Sequence, residues 1–268
     1  MFRALGPICL VLSAVALAAC GAGEADVSAA SPVGDSFTYC TDPTFPPMES
    51  TTTAGEPTGF DVDLAKAIGK LWQSEPKAIR TAFPGLLPGL ASKRCDMVIS
   101  AIFVTPDRLK RFPAVGYMKT HRALVVQAGN PRRIAGPEDL SGKVVAVQAG
   151  TKYEEYLMAL NDRFESGGRE RFRLQSYPGD TDAMAQLLLG RADAVLTQDT
   201  SGAFQKKRHP GKLDIAHLFP ETDTFGIYYR RADDALGLAL RNAVATLKRN
   251  GTLETIAADA EIPLEDVK

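Results

Sequence analysis

Apolar positions in this chain follow two rhythms. One is a set of short continuous runs, the clearest being Met97, Val98, Ile99, Ala101 and Ile102. Such runs mark strands buried on both faces. The other is a spacing of three and four, as in Leu64, Ile68, Leu71 and Trp72, which marks a helix with one apolar side. The runs predict strands near residues 36–40, 78–82, 97–102, 124–127, 143–148, 174–177, 192–198 and 225–230. Between them the spacing predicts a helix ending at Trp72, a short one holding Leu86, Leu87 and Leu90, and one entered at Thr105-Pro106. Further helices run from Thr151 to about Leu160, from Asp180 or Thr181 to before Gly190, and over 233–248, with one more in the tail. Strands alternating with helices imply an α/β fold with a parallel sheet covered by helices.

Polar residues punctuate these elements. TDPTFPP after the first strand is a rigid turn that sets Asp42 and Phe45 on a loop. Residues 51–58 form a hairpin tip. Asp61 or Asp63 falls in the first turn of the next helix and serves as a cap. Thr105 and Pro106 have the chemistry of an N-cap and a first helical residue, and Arg108 leaves that first turn. A buried strand thus delivers a guanidinium, hydroxyls and unpaired backbone N–H groups to one place, which suits a carboxylate or phosphate. Ala149-Gly150-Thr151 with Glu154 repeats the device as a strand, a glycine and a capped helix start. The last strand and helices have to pack on the first half, so the chain crosses twice between halves and makes two lobes with a cleft. Ligands of open α/β sheets bind at the carboxyl ends of strands. Those ends here carry Asp42, Phe45, Ser100, Phe103, Thr105, Arg108, Thr151 and Asp199.

The N-terminus reads differently. Met1-Phe2-Arg3 precedes an almost wholly apolar stretch over 4–19, which ends in Leu17-Ala18-Ala19-Cys20. That is an export signal over residues 1–20, too short to span a membrane. Residues 21–35, rich in Ala, Gly and Ser, form a flexible tether. Export permits a disulfide between Cys40 and Cys95. Each, however, sits at a different end of a predicted parallel strand, so two buried free thiols are expected. The 268 residues carry a formal charge of −1 and no basic block with interleaved aromatics, so no nucleic-acid partner is expected. The three histidines are isolated, and there is neither a nucleophile elbow nor a phosphate loop; no metal and no cofactor are expected.

TDPTFPPMES, GFDVDLAKAI, FPGLLPGL, DMVISAIFVTPDR, VAVQAGT, GRADAVLTQD and LKRNGTLETIA, in that order and spacing, resemble the extracellular solute-binding proteins (family 3) of polar amino-acid ABC transporters. The resemblance implies a periplasmic-binding-protein fold of type II: lobe 1 from 36–122 and 222–268, lobe 2 from 123–221, two hinge strands, and a ligand cleft between. It implies that Arg108 clamps a ligand carboxylate, helped by Thr151, and that Asp199 pairs with its ammonium. Phe45 and Phe83 would sandwich the ligand side chain, with Asp42 lining the same pocket. The Cys at the cleavage point resembles a lipobox, implying lipidation of Cys20. Phe103 departs from the family, which usually has a small residue there; a smaller or more apolar solute follows. Glu49 reads as an exposed loop acid.

The expected function is capture of a small solute, an amino acid or related carboxylate, for delivery to an ABC permease. The protein would act as a monomer, exported and held at a membrane by lipid. Two alternatives share the fold: a periplasmic cyclohexadienyl (prephenate) dehydratase, for which Glu49 or Asp42 would have to be a general acid, and an accessory protein for a periplasmic oxidoreductase.

Overall fold

The computed structural model describes residues 1–2 and 32–268. The cleavage site, Cys20 and most of the expected tether lie outside the described residues. The chain runs β1 (Ser36–Thr41), a hairpin of β2 (Ser50–Thr51) and β3 (Pro57–Thr58), α1 (Phe60–Trp72), β4 (Glu75–Arg80), α2 (Leu86–Ala91), β5 (Met97–Val98) and α3 (Pro106–Arg111). It continues through β6 (Ala114–Gln127), β7 (Val144–Gln148), α4 (Lys152–Ser166), β8 (Arg173–Tyr177), α5 (Asp180–Leu188) and β9 (Ala194–Gln198). It closes with α6 (Asp199–Arg208), β10 (Leu213–Tyr229), α7 (Asp234–Arg249) and α8 (Thr252–Asp259).

Eight strands form one sheet in the order β4-β1-β5-β10-β6-β9-β7-β8. At one end β1 pairs parallel with β4 and β5; at the other β7 pairs parallel with β8 and β9. The two parallel ends are the sheets of two lobes. They are joined by β6 and β10, which run antiparallel along their length and break register between Leu218 and Thr222. The sequence showed only one end of each long strand. The missing parts carry Thr120, His121, Arg122 and Asp223, polar residues that hide a strand pattern. In this strap Arg122 pairs with Asp223 at 3.0 Å and lies over the rings of Tyr156 and Phe219, 5.5 Å from each.

Helix α1 buries Leu64, Ile68 and Trp72 of the four positions its spacing singled out, and leaves Leu71 half-buried. Gly59 before it has φ 121°, and a Cβ there would meet the Met48 carbonyl oxygen at 2.5 Å. No other residue fits that turn. Helices α7 and α8 pack against α1, so the C-terminal segment does return to the first lobe.

Three expectations need correction. Strand β5 is two residues long because the chain leaves the sheet at Ser100 and turns through Ala101, whose φ is 39°. Asp61 is not a cap: its buried carboxylate accepts from the Ala101 amide at 2.6 Å and the Tyr117 hydroxyl at 2.7 Å, and so holds that turn. Cys40 and Cys95 are joined in a disulfide with Cα atoms 5.7 Å apart. The two thiols are not held at opposite strand ends, because β5 is too short to separate them. The Sγ of Cys40 points towards α2, where a Cβ on Gly89 would stand 3.2 Å from it.

Candidate functional site

The carboxyl ends of β1 and β5 face those of β7 and β9 across the gap between lobes. From the first lobe, the cleft is lined by Asp42, Phe45, Glu49, Phe83, Ser100, Ala101, Phe103 and Arg108; from the second by Gln148, Thr151, Lys152, Tyr153 and Gln198. Its volume, open mouth included, is about 340 Å³.

Arg108 is placed by α3. Thr105 caps this helix, its Oγ1 accepting from the Arg108 amide at 3.3 Å, with Pro106 as first residue. The guanidinium donates from Nη1 to the Phe103 carbonyl at 3.0 Å and lies 5.9 Å from the Phe83 ring centroid. Burial pulls its pKa below the usual arginine value. Among the described residues no carboxylate forms an ion pair with it. Opposite stands the N-terminus of α4. There the Thr151 hydroxyl accepts from the Glu154 amide at 3.3 Å and donates to the Gln148 carbonyl at 2.7 Å. Glu154 completes the turn by accepting from Gly150 N at 2.7 Å.

A chain of hydrogen bonds runs beneath the first-lobe wall. Asp42 N donates to Ser100 Oγ at 2.9 Å, and Ser100 donates to Glu49 Oε1 at 2.9 Å. Glu49, expected on an exposed loop, is 1% exposed. Burial, and then the neighbouring Asp61, push its carboxyl well above the usual range, opposed by the bond from Ser100. Asp61 itself is raised to about 6 by burial, opposed by its bonds from Tyr117, Ala101 and Glu49. Burial also raises Asp42, which is held by the Phe83 amide and by Gln148 Nε2, both at 2.9 Å.

That last bond crosses between lobes, and it has company. Thr181 N donates to the Thr44 carbonyl at 3.2 Å. The rings of Phe103 and Tyr153 meet edge to face with centroids 5.4 Å apart. A Cβ on Gly150 would stand 2.9 Å from Pro84, and one on Gly179 2.8 Å from Thr44. The lobes are therefore in close contact around the cleft.

Seven of the residues singled out by sequence come together here: Asp42, Phe45, Phe83, Ser100, Phe103, Arg108 and Thr151. Two do not. Thr105 serves as the α3 cap. Asp199 faces the strap, accepting from Thr120 Oγ1 at 2.8 Å, Thr200 N at 2.7 Å and His121 N at 3.2 Å. Sequence reasoning missed Gln148, Tyr153 and Gln198. Gln148 and Gln198 were visible as the last residues of buried strands, the position that singled out the others.

The sequence model of the bacterial extracellular solute-binding proteins, family 3, matches residues 37–259. The chain belongs to that family. This solute-binding protein is 28% identical over 215 residues to the L-cystine-binding protein TcyJ of Escherichia coli K12, covering 80% of this chain and 78% of that one. It is 30% identical over 220 residues to ABC transporter arginine-binding protein 1 of the same strain, covering 80% and 86%. An ancestral arginine-binding protein solved with arginine bound superposes with a TM-score of 0.77 at 29% identity, over 84% of this chain and 97% of that one. Two lobes and a central cleft are thus shared with solved amino-acid-binding proteins, and these named relatives are binding proteins. Among the described residues of this solute-binding protein no helix is long and apolar enough to cross a membrane.

Proposed function

We propose that this protein captures an amino acid or related small carboxylate between its lobes and hands it to the permease of an ABC importer. Arg108 carries this reading. It is a half-buried cation at the cleft wall, without a carboxylate partner among the described residues, facing a capped helix N-terminus on the other lobe. A solute carboxylate placed there gains a charged donor from one side and helix N–H groups from the other, so the solute itself ties the lobes together. Lobe 1 is taken as 36–122 and 222–268 and lobe 2 as 123–221, turning about the strap. A lipid on Cys20 holds the exported protein at the membrane; release of a Cys20→Ala variant into the soluble fraction tests this.

Titration calorimetry with an amino-acid library tests the main reading. Arg108→Ala weakens the best solute at least ~30-fold, since truncating one side of a buried charge pair costs about 2–5 kcal/mol. An unchanged affinity sinks the proposal. One observation favours a second reading: Glu49 is a buried carboxyl on the cleft wall whose affinity for its proton is raised by burial, the direction that suits the general acid of a dehydratase. Turnover of prephenate, lost in Glu49→Gln, would replace the binding reading by that one.

A further inference from the structure

Phe103 closes a column of rings. Phe60 stacks on Tyr117 at 6.0 Å, Tyr117 lies 6.2 Å from Phe225, and Phe225 stacks on Phe103 at 5.3 Å with planes 14° apart. The column starts in the first-lobe core and ends at the cleft, where Tyr153 of the second lobe meets Phe103 edge to face. Phe103 is fixed along its backbone too. It forms an antiparallel bridge with Phe225, and its carbonyl accepts from Tyr228 OH at 2.7 Å as well as from Arg108. These bonds hold the backbone, while the ring itself is packed between Phe225 behind and Tyr153 in front. Phe103 and Tyr153 are 5% and 4% exposed, so they take up cleft space rather than fringe it. What remains, about 340 Å³ with the open mouth and all interstitial space counted, is an upper bound on the room for a solute.

We propose that Phe103 and Tyr153 form an aromatic partition that limits the solute to carboxylates with a short side chain, such as glycine, alanine or serine, and excludes long or ring-bearing amino acids. This rests on the reading that Arg108 holds the solute carboxylate. The column makes the partition rigid: the first-lobe ring is backed by core, and the second-lobe ring arrives only when the lobes meet. Selection is then steric, exercised at closure, and independent of the polar groups that grip the carboxylate.

Calorimetric titration of glycine, alanine, serine, histidine and arginine into the wild type, Phe103→Ser, Phe103→Leu and Arg108→Ala tests this. The wild type binds alanine at least ~100-fold more tightly than arginine, and Phe103→Ser narrows that ratio at least tenfold. Phe103→Leu keeps the core filled and narrows it less; if Phe103→Ser does not fold, Phe103→Leu and Tyr153→Leu report the same ratio. A ratio near one in the wild type, or one unmoved by the ring variants while Arg108→Ala abolishes binding, overturns the partition and leaves the receptor reading standing. No binding of any probe by any variant overturns both.

Discussion

Asp180 shows what a buried carboxylate contributes at the scale of one residue. It accepts from Thr197 Oγ1 at 2.8 Å and Ser201 Oγ at 2.9 Å, yet burial outweighs both and raises its pKa from 3.8 to about 6. The folded state therefore holds this proton more tightly than the unfolded state. The stabilisation is complete below about pH 4 and is lost as pH rises through 6. For this group the change amounts to roughly 3 kcal/mol. Urea unfolding of the wild type and Asp180→Asn at pH 4, 5, 6 and 7 checks it: the fall in stability from pH 4 to 7 is shallower in the variant, and equal slopes refute the assignment. Glu49 and Asp61 add a fall of the same sign. None of this was legible in the sequence, where Asp180 and Asp61 looked like caps. A cap and a buried acid share the same local setting, and only the partners, such as Ser201 or Tyr117, tell them apart.

At the scale of elements the sequence was more informative. The strand-end positions of β1 and β7 and the caps of α3 and α4 were legible because local chemistry sets them: a buried run, then Thr-Pro or Gly-Thr, fixes where a helix begins. The strap was legible only as two crossings between lobes and not as one long paired ribbon, because the middle of β6 and β10 is polar and their pairing is long-range. The approach of α5 to the first lobe was equally hidden. Gly179, which precedes α5, has an ordinary φ of −124°, so alanine suits its backbone, but the added Cβ would stand 2.8 Å from the Cβ of Thr44 in the other lobe. Gly179→Ala is therefore expected to prop the lobes apart. Solute affinity falls tenfold or more, while unfolding without solute changes by less than about 1 kcal/mol, the scale of a poorer N-cap. Thr44→Gly in the same chain restores binding. Failure of that rescue in calorimetry assigns the loss to α5 rather than to the contact.

For the molecule as a whole, the Cys40–Cys95 disulfide closes a separation of 55 residues that takes in α1, β4 and α2. Restricting a loop of that length in the unfolded chain is worth about 4 kcal/mol in the chain-entropy description. Denaturant melts with and without reductant, together with a Cys40→Ser/Cys95→Ser variant, are expected to differ from the oxidised wild type by about that much. A difference below ~1 kcal/mol shows that the closed segment stays compact when unfolded. The sequence reading expected free thiols instead, because the pairing turns on how short β5 is.

The strap has a further consequence. One sheet runs through both lobes, but between them it narrows to β6 and β10. A ribbon two strands wide resists stretching and sliding, since each would break the ladder along its length, and yields mainly to bending and twisting. The ladder is already interrupted at three places, between Ile215 and His217, Leu218 and Thr222, and Phe225 and Gly226. The lobes thus stand as two plates on a single leaf spring that is soft to bending and twisting alone. Asp199 and Asp223 are clamped to that spring by Thr120, His121 and Arg122, so substitutions there tune its stiffness while leaving the cleft wall as it is.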